Sequence, residues 1–537
     1  MFQKRAPLLK ASVIAGWGAV AAFLVLALLP VAFLGIKWLA VVLGGDTDAL
    51  SWAVPSERTL HLMGNSFLLA VTVTFMSTVL GTALAIWLCG EGWLRRLIGS
   101  IYLIPLLIPP YVHALEWMAV VGRRQFLDQN LDFIPVMEDV AFTTYGFWPA
   151  AIVMTMATFP IVTLLVRNGL GAIEPELIES ASMTRGPWSV IGRIVLPLVW
   201  PSIIAGAGLV FVLSLVEYGV PSLLQYNVYV MEIYSSFSQY FDPVRGFAIS
   251  VPLIAAAAVL LALSQSRLRN SPLRSQPGYC PRLMTSAWSL PSRSLLFLSV
   301  IIWAIACLVP VTVLLVRGGD PSVIDDALSL AWSDFTLTMI VALVAGAVTT
   351  IVAIPLALAL TGQARAGKLG WFVCALPLAV PAPLIGIALI YIWNRPLLDW
   401  GYGTWLMLVV AHVARFLPFA VYAAGSRVRH IDPVLLEAAA LPNVGWWRRF
   451  LWVRLPLIAP AVAITLLVVF VFSLGELGAS LLISPPGEAT LPMRIYNLLH
   501  YGATDIVAAL SLAILVVAGI ACTGVLLIQK GLFRRAA

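Results

Sequence analysis

The sequence predicts an all-α membrane protein with twelve transmembrane helices, built as two tandem six-helix modules. Three observations carry that prediction. Of 537 residues, 61% are hydrophobic and 11% are charged, whereas ordinary soluble domains carry about 25% charged residues. A soluble chain of this size covers its surface with charge, so the composition excludes a soluble enzyme, a disordered scaffold and a nucleic-acid binder. The apolar residues also collect in twelve runs, each near the roughly 20 residues that a helix needs to cross about 30 Å of hydrocarbon. Finally, the punctuation of the second half repeats that of the first.

The first-half runs are 12–36, 64–88, 99–121, 146–166, 197–216 and 246–264. Those of the second half are 295–316, 336–360, 370–393, 403–422, 458–483 and 505–528. Lys4, Arg5 and Lys10 precede the first run as in a signal peptide. Its apolar stretch is too long for a cleaved core and no A-x-A site ends it, so it is predicted as a retained span. With a cytoplasmic N-terminus, twenty-three of the 32 Lys and Arg fall on the cytoplasmic side and eight outside, with Arg415 inside a span. Cytoplasmic loops of membrane proteins carry the excess of Lys and Arg, which predicts both termini inside. The net charge of +7 is therefore a topology signal and calls for no nucleic-acid partner. The five cysteines form no CxxC pair, and this odd, dispersed set argues against a disulfide framework or a zinc site.

Several landmarks occur twice. Pro105, Pro109 and Pro110 in IPLLIPP recur as Pro377, Pro381 and Pro383 in LPLAVPAP. Glu174-Pro175 recurs as Asp432-Pro433, and Leu196-Pro197 as Leu455-Pro456. Glu217-Tyr218-Gly219 recurs as Glu476-Leu477-Gly478, at the same spacing as the Leu-Pro pairs. This predicts a first module over 1–264, a polar cytoplasmic linker over 265–294 with Pro272, Pro277, Pro281 and Pro291, and a second module over 295–537. Six spans per copy give both modules one orientation, hence a pseudo-twofold axis along the membrane normal.

One cytoplasmic loop of each half carries a mechanism. Loop 174–197 holds Glu179-Ser180-Ala181, then Gly186-Pro187-Trp188, and ends in Leu196-Pro197. Loop 432–456 holds Glu437-Ala438-Ala439, then Asn443-Val444-Gly445-Trp446, and ends in Leu455-Pro456. Each reads as a short helix with an acidic start, a turn, and a basic amphipathic helix leading into the next span. Two copies at equivalent places predict elements that dock into a partner's groove.

These loops resemble the EAA loop of permease subunits of ATP-binding cassette importers: Glu-Ala-Ala, three residues, Gly, nine residues, then Ile-x-Leu-Pro. The second copy keeps the spacing from Glu437 to Pro456, with Asn443 at the family's Gly; Asn also tolerates the left-handed backbone a turn needs. The first copy is one residue short, with Ser180 for the first Ala and Gly186 one place late. The resemblance covers nearly the whole chain and implies a fused two-module permease of a type I importer. It implies ATPase-coupling roles for Glu179, Ala181, Gly186, Glu437, Ala438, Ala439, Asn443 and Gly445. The implied partners are two copies of an ATP-binding cassette ATPase subunit, a periplasmic substrate-binding protein and the lipid bilayer of a bacterial inner membrane. ATP and Mg then belong to the ATPase, and this chain binds no cofactor and catalyses no reaction. Its own Gly362–Lys368 fits GxxxxGK by spacing. Leu369 follows where a P-loop needs Ser or Thr, and no strand precedes, so a nucleotide site is not predicted there.

The stretch from Ser473 to Gly502 is similar to the end of the second module in fused ferric-iron importer permeases, at Gly475-Glu476-Leu477-Gly478 and Arg494-Ile495-Tyr496. Fused thiamine-type permeases share the architecture, so thiamine or another small solute is the alternative cargo. The residues themselves add that Glu217 and Glu476 sit at equivalent places near the outer end of a span. An ionisable group there is costly unless it faces an aqueous path or a partner. Two such carboxylates attract a cation; as helix caps or docking contacts they touch no substrate. Arg415 lies in a span beside His412, with Ala157 at the equivalent place. It pairs with a carboxylate, snorkels or lines a path. Glu217, Glu476 and Arg415 are therefore the candidate path residues, and no metal site is predicted. An ion-coupled secondary transporter is the alternative of a different class, although it needs no paired docking loops. An intramembrane enzyme requires a constellation such as HExxH, which is absent from the sequence.

Overall fold

The computed structural model describes residues 6–90, 92–121, 145–184, 186–268, 290–361, 366–428, 455–500 and 504–536. Among these residues all regular structure is helical. We number the helices in chain order. The first half contributes α1 (Ala15–Leu43), α2 (Glu57–Leu88), α3 (Trp93–Leu107), α4 (Pro110–Val120), α5 (Phe147–Leu170), α6 (Pro175–Thr184), α7 (Ile191–Leu215), α8 (Gly219–Leu223), α9 (Tyr229–Tyr240) and α10 (Pro243–Ser264). The second half contributes α11 (Leu296–Gly318), α12 (Pro321–Thr361), α13 (Leu369–Ala379), α14 (Ala382–Trp393), α15 (Trp405–Val428), α16 (Leu455–Leu474), α17 (Ser480–Ile483), α18 (Leu491–His500) and α19 (Asp505–Val525).

Among the described residues ten of these helices are individually long and apolar enough to cross a bilayer, and counting each of the bent pairs α3–α4 and α13–α14 as one span gives up to twelve. The two bends measure 92° and 93°. Their cause is local. Ile108 precedes Pro109 and is extended at φ −86°, ψ 119°. Val380 precedes Pro381 and is extended at φ −90°, ψ 121°. A proline ring clashes with an α-helical residue before it, so the helix stops and a new one starts beyond the proline. The apolar runs 99–121 and 370–393 are therefore broken rather than straight. Run 458–483 is also divided: its helix ends at Leu474, and α17 follows after a five-residue break.

The chain forms two compact units. One consists of Pro55–Glu232 with Pro252–Asp320. Its centre is the packing of α2, α5 and α7 on one another. Gly81 of α2 lies so close to α5 that a Cβ there would meet Phe159 O at 2.7 Å. Without a hydrophobic drive in lipid, such close approach of small residues supplies the packing between helices. Helix α11 lies against α2 and α4 in the same unit, and Trp303 Nε1 donates to Tyr102 O at 3.2 Å.

The other unit consists of Met1–Val54 and Ile233–Val251 with Pro321–Ala537. Here α12, α15 and α16 pack on one another as α2, α5 and α7 do, and α1 lies along α12. Each unit thus holds the leading span of the opposite sequence half. Outward-facing Phe75, Ile351 and Ile520 are exposed, as suits side chains that meet lipid.

In both units the short helix near the end of the repeat is fastened to the long second span by the same two-part latch. Tyr229 N donates to Ser66 Oγ at 2.8 Å, and Arg58 pairs with Glu232 at 3.2 Å. Leu491 N donates to Thr338 Oγ1 at 2.7 Å, and Arg494 pairs with Asp334. The polarity is inverted: the base sits on the long helix in the first repeat and on the short helix in the second. Burial raises the Tyr229 phenol to about 12, with Glu232 adding to the rise.

Candidate functional site

The second repeat builds its site where α16 ends. Gly475 and Glu476 turn back with N–H bonds to Phe472 O and Ser473 O at 3.2 and 3.3 Å. The Glu476 side chain then reaches forward, and its Oε1 accepts from Ala479 N at 2.9 Å, just before α17. Arg415 of α15 holds the same carboxylate with both arms of its fork. Nε lies 3.0 Å from Oε2 and Nη1 lies 3.1 Å from Oε1. Glu476 is 3% exposed and Arg415 25%. A buried carboxylate needs this neutralisation, because water is not there to supply it. The open alternatives for Arg415 thus resolve to a carboxylate pair. One turn before it, His412 is buried, with Nε2 3.3 Å from Ser480 Oγ of α17. Gly478 is required by α14, since a Cβ there would meet the Ala382 Cβ at 2.8 Å.

The first repeat keeps the frame and changes the charges. Helices α5 and α15 are each 24 residues long, with Pro160 and Pro418 at the same internal position. In that register Met154 stands for His412 and Ala157 for Arg415. Glu217 is partly buried, and its Oε1 accepts from Gly219 N at 3.0 Å, again at the start of the short helix.

The first repeat carries different ionisable groups, on α4, which sequence reasoning missed. His113 is fully buried and Glu116 is 2% exposed. His113 Nε2 lies 3.0 Å from Pro105 O, across the break. A carbonyl only accepts, so Nε2 is the donor. His113 Nδ1 and both Glu116 oxygens have no hydrogen-bond partner among the described residues. The equivalents in α14 are Ile385 and Ala388. The overlooked signal was a carboxylate and an imidazole three residues apart within an apolar run.

The loop residues of the first repeat lie on a helix–turn–helix. Helix α6 carries Glu179 exposed and Ala181 partly buried. Gly186 forms the turn, where Ser189 N and Val190 N bond to its carbonyl at 3.0 and 3.2 Å. Ile178 points inward, whereas Leu177 and Met183 are exposed. Glu437, Ala438, Ala439, Asn443 and Gly445 lie outside the described residues. No group of three or more His, Cys, Asp or Glu suited to a metal occurs among the described residues.

The chain is similar to two ferric permeases of Haemophilus influenzae. It is 23% identical to a putative ferric transport system permease protein, over 84% of this chain and 74% of that one. It is 24% identical to an Fe(3+)-transport system permease protein, over 86% of this chain and 88% of that one. A putative molybdenum transport system permease protein of Bacillus subtilis is 26% identical, over 30% of this chain and 71% of its own length. Residues 77–268 and 351–537 each match one family, which takes in both broken spans and both glutamate turns. The chain therefore belongs to the family of binding-protein-dependent transport system inner membrane components, carrying its domain twice.

Proposed function

We propose that this chain is the membrane permease of an ATP-driven importer that takes ferric iron from a periplasmic binding protein. The observation that carries the reading is the likeness to ferric permeases across both repeats, whereas the molybdenum permease is matched over less than a third of the chain. Thiamine or another small solute is the alternative cargo. A secondary transporter does not account for a doubled binding-protein-dependent domain.

On this reading the protein sits in the bacterial inner membrane with both termini in the cytoplasm. Each repeat offers one docking loop, so two ATPase subunits assemble on it. ATP and Mg bind to those subunits, and this chain itself holds no cofactor. Exposed Leu177 and Met183 beside Glu179 support a docking role for the first loop. The second loop acts through Glu437, Ala438, Ala439, Asn443 and Gly445. Glu217, Glu476 and Arg415 act along the translocation path, with Arg415 setting the charge that Glu476 presents.

The test is stimulation of ATP hydrolysis by the complex in lipid nanodiscs. Binding protein loaded with ferric iron is expected to stimulate it, whereas a molybdate- or thiamine-binding protein is not. No response to the iron-loaded protein would overturn the reading. Native mass measurement of the same complex is expected to give two ATPase subunits per chain.

A further inference from the structure

We propose that His113 and Glu116 form a transit site for the cargo cation on α4, the half-helix beyond the break in the first repeat. The proposal rests on the cationic cargo of the preceding reading and deepens it. Three observations support it.

The first is position. In secondary transporters built from repeats, Gly- or Pro-interrupted spans at corresponding places in the two halves point to the substrate site, and this chain offers the same placement. The bends at Ile108-Pro109 and Val380-Pro381 are such a pair. The second is chemistry. The bond to Pro105 O commits Nε2 of His113 as a donor, which leaves Nδ1 of the neutral ring an acceptor with no partner among the described residues. Metal-binding histidines are prepared in this way, with one nitrogen donating to a carbonyl so that the other faces the metal. Glu116 lies three residues on, hence on the same helix face. Both of its oxygens are also without partners among the described residues. The third is that the frame does not need these two residues: the second repeat carries Ile385 and Ala388 at these places.

Two protein ligands are too few to retain a metal ion tightly, and water would complete the coordination. That weakness suits transport, where a site must attract the ion and also release it. Glu476 is less suited to the task, because Arg415 and Ala479 N already occupy its oxygens. Both oxygens of Glu476 are thus engaged within the protein, whereas those of Glu116 have no hydrogen-bond partner among the described residues.

The experiment uses the full chain, reconstituted in proteoliposomes with its ATPase subunits and a binding protein loaded with radioactive ferric iron. Glu116→Gln and Glu116→Leu are compared with Glu116→Asp. The Gln and Leu variants are expected to lose about tenfold or more in uptake, as for loss of one charged ligand. Their assembly and their ATPase stimulation by loaded binding protein are expected to match wild type. Glu116→Leu makes the span more apolar and keeps the test valid should Gln disturb insertion. Glu116→Asp is expected to recover much of the uptake. Wild-type uptake in the Gln or Leu variant overturns the site, as does loss of assembly in all three variants, which would make Glu116 structural. Failure of wild type itself to import iron would instead strike the cargo reading.

Discussion

Glu217 and Glu476 occupy the same place in two copies of one module, and each accepts a backbone N–H at the start of the short helix that follows. They differ in what else the repeat provides. Glu476 is gripped by Arg415, and where that arginine stands the first repeat has Ala157. In the first repeat an acid without a hydrogen-bond partner among the described residues is instead Glu116, on the broken span, where the second repeat has Ala388. The comparison teaches that the repeat conserves backbone devices while charge is redistributed freely between the copies. The prolines, the latch hydrogen bonds and the glutamate caps recur; Arg415, His113 and Glu116 do not.

The largest expected effect comes from breaking the closed pair. Arg415→Ala leaves a carboxylate that is 3% exposed without its counter-charge, at a cost of about 3–5 kcal/mol. Thermal unfolding of the purified protein checks this, and Glu476→Gln in the same chain is expected to recover part of the loss. If Arg415→Ala alone unfolds at the wild-type temperature, the second repeat is not closed by this pair.

The latches come next and differ in the same spirit. Asp334 is 3% exposed, so Asp334→Asn is expected to cost about 1.5–3 kcal/mol, the range for a hydrogen bond to a charged group. Arg58 is 77% exposed, and an ion pair in that setting is worth about 1 kcal/mol or less. Arg58→Ala is thus expected to shift unfolding least of the three. Equal shifts for Asp334→Asn and Arg58→Ala would show that burial does not separate the two latches.

The docking loops give a functional version of the comparison. Glu437→Lys is expected to reduce co-purifying ATPase by about threefold to tenfold, an effect of about 1 kcal/mol at a helix start. Glu179→Lys is expected to do less, because the first loop departs further from the family pattern. Equal retention of the ATPase by both variants and wild type would remove the docking role.

The sequence made the helices and the repeat legible, because apolar runs and paired prolines are local signals. Pro109 and Pro381 mark the repeat in the sequence, but the right-angle bends have no such mark, since hydropathy is blind to direction. Glu116 and His113 escaped for a related reason: an average over the apolar run 99–121 dilutes one acid and one imidazole. Arg415 was legible as a charge needing an explanation, yet its partner lies 61 residues away, and only packing brings the two together. The grouping of each leading span with the opposite half has no local signature, because all its contacts are non-local.

The central claim is that the two repeats together import ferric iron. The most direct measurement is the solute accumulated in proteoliposomes that contain the chain and its ATPase, supplied separately with binding proteins loaded with ferric iron, molybdate or thiamine. The account predicts iron inside, dependent on both ATP and the loaded binding protein, with neither of the other solutes. Accumulation of molybdate or thiamine with no iron would contradict it.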